Sequence, residues 1–234
     1  MKTAIILLIL GYNIYLCIIP ARLPSALPPA RSITIPVDPY GLIRKGEPQL
    51  KEGDLVLRMN NDPMSFFIKN FNRKDQRYSH AGIVLMENGK PFIFHIINGT
   101  EIVSEKMRKD SLGAFADPRQ NSAFGIYRYK LKEEELKGLK NKILQWYKKG
   151  LRFDAAFNLQ TDDKMYCSEM VRKALGISTK GRIGIGATTL TAQEAIWLGR
   201  YAHLKPTKGK AMQVVAMDDL YMNEFCEKRV EYTY

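Results

Sequence analysis

The sequence predicts an α+β domain, on three observations. Two apolar runs, His80-Ala81-Gly82-Ile83-Val84-Leu85-Met86 and Pro91-Phe92-Ile93-Phe94-His95-Ile96-Ile97, flank Glu87-Asn88-Gly89-Lys90, and Asn-Gly between two such runs is the strongest short hairpin signal. From Glu133 the residues Leu136, Leu139, Ile143 and Trp146 recur on one helical face, with Glu133, Glu134 and Glu135 first and Lys148 and Lys149 last before Gly150. That order complements the helix dipole. A second helix is predicted from Cys167, where Met170, Val171, Ala174 and Leu175 keep helical spacing and Gly176 is the expected stop.

The remaining chain divides by composition. Ala4 to Ile19 is apolar between Lys2 and Arg22, so residues 1–20 read as a signal peptide or an N-terminal membrane anchor; no small-x-small cleavage site stands out before Ser32. Residues 21–39 carry Pro24, Pro28, Pro29 and Pro36 and read as an extended tether. Residues 40–234 are then one folded domain, and 234 residues with 45% hydrophobic content suffice for one sizeable core. Within it, Lys51-Glu52-Gly53-Asp54 is a turn into a strand at Leu55-Val56-Leu57-Arg58, and Phe66, Phe67, Ile68 and Phe71 suggest a short helix or lid. Thr100 to Val103 and Phe124 to Tyr129 are expected to extend the sheet, with Asn98-Gly99-Thr100, formally a glycosylation sequon, as a turn. Residues 153–164 and the glycines at 181, 184 and 186 read as loops, the latter without a nucleotide-binding fingerprint. Thr191-Ala192-Gln193-Glu194 is a capping box for a helix ending near Gly199. The segment around Val214 and Val215 carries no single periodicity.

A net charge of +12 and a pI near 9.5 favour an anionic neighbour, such as a membrane surface or an acidic envelope polymer. Nucleic acid is not expected, because the basic residues are spread along the chain and no nucleic-acid-binding motif is present. Three cysteines are too few for a disulfide scaffold. Cys17 lies in the leader, and a Cys167–Cys226 bridge would silence Cys167.

Cys167 is the candidate nucleophile. At a helix start, free N–H groups and the positive end of the dipole favour a thiolate, the reactive form. The histidines strengthen that reading. With Asn88-Gly89 as a two-residue turn, Glu87 pairs with Lys90, which places His80, Gly82 and His95 on one sheet face. His80 and His95 become diagonal neighbours, and Gly82 leaves the space between them open. Cys167, His80 and His95 then fill the roles of nucleophile, general base and orienting group. The third histidine, His203, has no such partner. A zinc site built from the same three side chains is the chemical rival, although no close-spaced metal pair supports it, and no cofactor is expected.

Gly53-Asp54 before a strand, Ser79-His80-Ala81-Gly82-Ile83-Val84, the polar His95 on the next strand and Tyr166-Cys167-Ser168-Glu169 late in the chain resemble the permuted NlpC-type papain-like hydrolases of the YaeF/YiiX group. The likeness spans about Gly46 to Leu198. It is permuted because the cysteine helix follows the histidine strands. The resemblance implies a central antiparallel sheet packed against the cysteine helix, with Cys167 as nucleophile, His80 as base and His95 as orienting residue. It further implies a cysteine peptidase or amidase acting on an amide or peptide bond in cell-wall peptide or a related envelope substrate, while the apolar leader points to an exported protein, periplasmic or membrane-anchored. A lipid acyl hydrolase or acyltransferase and a non-catalytic envelope binding module are the alternatives on the same fold. Oligomeric state is not set by these residues.

Overall fold

A computed structural model describes residues 38–98, 106–201 and 211–234. The expected leader, the tether up to residue 37, the strand expected at Thr100 to Val103 and His203 lie outside the described residues. Among those described, no helix is long and apolar enough to cross a membrane.

The hairpin forms as its turn dictates. Asn88 and Gly89 both take left-handed backbone, with φ of 50° and 76°, the requirement of a tight turn matched to strand twist. Strands β1 (Leu55–Asn60), β2 (His80–Glu87), β3 (Lys90–His95), β4 (Arg108–Asp110), β5 (Asn121–Tyr129) and β8 (Cys226–Thr233) form a six-stranded sheet in the order β4-β3-β2-β1-β5-β8. Every pairing is antiparallel, and Glu87 lies opposite Lys90 as the turn requires. The small β6 (Thr188–Thr189) and β7 (Gln213–Val214) pair separately.

Strand alternation gives the sheet two apolar faces. Leu55, Leu57, Ala81, Ile83 and Phe94 share a core with Met170, Val171 and Ala174 of the cysteine helix, α5 (Cys167–Ser178), and with Leu139 and Ile143 of α4 (Glu133–Lys149). Val56, Val84, Ile93 and Phe124 form the opposite core with Ile43 of α1 (Pro39–Gly46) and Leu112 and Phe115 of α3 (Leu112–Phe115). Asp54 closes its turn by accepting from the Lys51 N–H at 2.8 Å, and it is buried against Arg128 at 2.6 Å.

Several boundaries differ from expectation. The cysteine helix runs through Gly176 to Ser178, and the chain turns instead at Lys180 and Gly181, both left-handed. Contacts of the helix decide this: Thr179 donates its N–H and its hydroxyl to Leu175 O, extending the last turn past the glycine. The capping-box helix, α6 (Ala192–Tyr201), extends two residues past Gly199, and Thr191 and Glu194 exchange the expected bonds. The aromatic stretch after Asn60 forms α2 (Pro63–Ile68). The C-terminal segment becomes the short helix α7 (Met217–Tyr221) and an edge strand whose charged Glu227, Lys228 and Arg229 face solvent.

Candidate active site

The site is assembled at one end of the sheet. His80 opens β2, opposite Arg58 of β1, and His95 closes β3. The two imidazoles meet directly, with Nε2 of His80 2.9 Å from Nδ1 of His95 and the rings at 82°. Gly82 permits this approach. A Cβ there would stand 2.5 Å from Cγ2 of Ile93, 3.0 Å from Phe94 O and 3.1 Å from Cβ of His95. Phe115 closes the far side, its ring centroid 5.0 Å from that of His95 and 5.7 Å from that of His80. Arg58 stacks on the same ring at 4.7 Å and donates from Nη1 to Phe115 O at 2.5 Å.

Cys167 is the first residue of its helix, after Tyr166 in extended conformation. The Tyr166 N–H donates to Glu169 Oε2 at 3.3 Å, which fixes where the helix begins. The neighbours of Cys167 clamp the C-terminal segment beside it. Tyr166 Oη accepts from the Val215 N–H at 2.8 Å, while Ser168 Oγ donates to Val215 O at 2.7 Å. Asn72 donates to Tyr78 O at 3.0 Å and accepts from the Met217 N–H at 2.8 Å, anchoring the same strap. The segment without a clear periodicity is therefore one wall of the site.

Cys167, His80 and Arg58 line a common cleft whose apolar walls include Ile68, Phe71 and Phe157. Burial is the dominant influence on Cys167 and pushes its thiol up to about 11, against the backbone N–H groups of Ala81 and Ser168 and the charge of Arg58, which favour the thiolate. The helix start is thus outweighed by desolvation, so the resting group is a thiol rather than the expected thiolate. Burial first, then the charge of Arg58, holds His80 well below its ordinary value. Burial likewise lowers His95 to about 4, although Asp110 opposes it. The resting pair of imidazoles is neutral at pH 7.

The expected trio therefore converges as far as the cleft: His80 bonds His95, and Cys167 faces the same space as His80. Cys167 and Cys226 are both free thiols. Sequence reading missed Asp110, whose Oδ2 lies 3.0 Å from His95 Nε2, and Arg108, which donates to Asp110 Oδ1 from Nε at 3.2 Å and Nη2 at 2.7 Å. A strand register through His95 would have been needed to find them, because β4 is three polar residues with no strand pattern of their own. Among the described residues no group of three or more His, Cys, Asp and Glu side chains is placed to hold a metal ion.

Comparison with known proteins adds two findings. Residues 49–223 match the family described as permuted papain-like amidase enzyme, YaeF/YiiX, C92 family, a span that runs past Leu198 and takes in the strap at 213–217. The fold is similar to a solved structure described as metalloprotein yiiX from Escherichia coli O157:H7, with a TM-score of 0.63 and 19% identity over 80% of this chain and 99% of that one. No match is found among curated proteins.

Proposed function

The chain belongs to the permuted papain-like amidase enzymes of the YaeF/YiiX, C92 family, and from that premise we propose that Cys167 is the nucleophile, His80 its general base and His95 the group that orients His80. The observation that carries this reading is Cys167 at its helix start, lining one cleft with an imidazole whose other end is already bonded to a second imidazole. His80 uses Nε2 for His95, which leaves Nδ1 to take the thiol proton. Cys167 Sγ attacks the amide carbonyl as that proton moves, and the backbone N–H groups at the helix start stabilise the oxyanion. The His80 imidazolium returns the proton to the departing amine, leaving a thioester. Water, with its proton taken by His80, then releases the acid.

The substrate we propose is an amide bond in cell-wall peptide or a related envelope molecule. Support comes from the basic balance of the chain, suited to an anionic envelope surface, and from the apolar run at residues 4–19, suited to an exported or membrane-anchored protein. The apolar side chains of Ile68, Phe71 and Phe157 in the cleft favour a second reading, hydrolysis or transfer of a lipid acyl group. One experiment separates them. The purified protein is incubated with peptidoglycan fragments and, separately, with phospholipid vesicles, and products absent from Cys167→Ala are identified by mass spectrometry. A new amine terminus from peptidoglycan supports the amidase reading, and a free fatty acid supports the acyl reading. No Cys167-dependent product from either overturns both in favour of a binding module.

A further inference from the structure

We propose that Asp110 is a positioning residue that acts through His95 to keep the proton of His80 on Nε2, so that His80 Nδ1 is bare when Cys167 must lose its proton. The proposal rests on the reading of Cys167 and His80 above and adds a residue that does not touch substrate.

Each proton in the chain is forced by the one before it. Burial alone would push the Asp110 carboxyl up, but hydrogen bonds from His95 and Arg108 bring it down to about 2. It is therefore ionised and can only accept. His95 Nε2, 3.0 Å from Asp110 Oδ2, must be the donor. A neutral imidazole carries one N–H, so His95 Nδ1 is a bare acceptor. His80 Nε2, 2.9 Å away, must then donate to it. The one N–H of neutral His80 is thereby spent on His95, and Nδ1 keeps its lone pair. When Nδ1 takes the thiol proton, the imidazolium still donates from Nε2, and the Asp110 charge steadies it through His95. No proton needs to reach Asp110.

Arg108 decides which oxygen does this work. Its Nε and Nη2 both donate to Oδ1, leaving Oδ2 to His95. Arg108 stands opposite His95 in the sheet, and Asp110 lies on the same face two residues on. The next residue, Ser111, caps the helix whose Phe115 covers both imidazoles. Residues 108–115 thus form one unit that orients and covers the histidines.

The fork gives Asp110→Asn a specific consequence. Arg108 can bond only an acceptor, so the amide oxygen is held on the arginine side and the NH₂ is presented to His95 Nε2. His95 must then accept there, carry its proton on Nδ1 and donate it to His80 Nε2. His80 is left with its proton on Nδ1, where the base should be. The equivalent change in the serine-protease triad, a worked example of this tautomer effect, lowers turnover about 10⁴-fold, and a fall of about 10²–10⁴-fold is expected here.

The test uses ¹⁵N-imidazole NMR at neutral pH together with p-nitrophenyl acetate as acyl donor. In wild type both His80 and His95 should show the Nε2–H tautomer, a measurement that needs no variant. Asp110→Asn should convert both to Nδ1–H and slow p-nitrophenolate release. A wild-type His80 protonated on Nδ1 overturns the proposal, as does an Asp110→Asn protein that keeps the wild-type rate. If Cys167→Ala or His80→Ala keeps that rate, the underlying catalytic assignment fails instead. If both are inactive while Asp110→Asn is fully active, only the role of Asp110 is lost.

Discussion

Gly82→Ala tests whether the spacing between the two histidines is set by the absence of a side chain. The added Cβ would lie 2.5 Å from Ile93 Cγ2, and neither Ile93 nor His95 has free surface into which to retreat. Ordinary carbon contact is about 3.5–4.0 Å, so roughly 1 Å of separation must be found between β2 and β3. Overpacking of this kind costs about 1–3 kcal/mol, equivalent to a fall in melting temperature of roughly 2–12 °C for a domain of this size. His95 Cβ, only 3.1 Å from the new atom, is carried along. Misplacement of a catalytic group by 1 Å can cost about 100-fold in rate, so turnover should fall well beyond what the lost stability explains at a temperature where the variant is fully folded. Thermal unfolding and initial rates on the Cys167-dependent substrate are the measurements. A variant that melts with wild type and turns over with wild type would refute the close-approach reasoning.

His80→Ala should abolish turnover, whereas His95→Gln, which retains a hydrogen-bonding side chain toward His80, should keep activity within about two orders of magnitude; stoichiometric zinc in wild type, removed by both changes, would replace the triad with a metal mechanism. Alkylation of Cys167 by iodoacetamide should outpace that of Cys226 and keep rising well above pH 8, because burial pushes the two thiols up to about 11 and about 12; a plateau at neutral pH would show a preformed thiolate. His95 is held near 4 against an ordinary 6.5, so between those values the unfolded chain binds the proton first and stability falls as pH drops. From pH 7 to pH 5 this one group should remove about 2 kcal/mol, measured by denaturant unfolding, and His95→Gln should make the profile shallower, leaving the part due to His80. A truncated protein beginning at Asp38, whose carboxylate caps α1 through the Gly41 N–H, should fold alone; aggregation rescued by restoring residues 20–36 would show that the tether packs on the domain.

What the sequence revealed follows from how local each signal is. The hairpin register needs only Asn88-Gly89, and it places His80, Gly82 and His95 on one face. The charged helix was readable to the residue because its acidic start, basic end and Gly150 agree. Gly176 misled because helix C-termini depend on tertiary contacts as well as on the glycine. β4 was invisible for a different reason: Arg-Lys-Asp has no strand propensity and pairs only because β3 offers it an edge. Asp110 and Arg108 were hidden with it. The strap at Val215 was likewise unreadable, since its partners Tyr166, Ser168 and Asn72 lie far away in sequence.

The thiol's charge state was the least legible property, and it shapes the chemistry most. A helix start alone argues for a thiolate, yet the same packing that seats Cys167 between the sheet and the strap removes the water a thiolate would need. Burial acts on His80 in the complementary sense, because it disfavours the imidazolium. Thiol and imidazole are both most stable neutral, so little charge separation is stored before substrate arrives. The groups that oppose burial act on the charges formed during attack. The Ala81 and Ser168 N–H groups favour negative charge at sulfur, and the line from His95 to Asp110 favours positive charge on His80. Interactions that strengthen only as the transition state is approached raise turnover rather than ground-state binding. On this account the Asp110 carboxylate counts most when His80 is charged, and its removal should lower kcat far more than it raises KM.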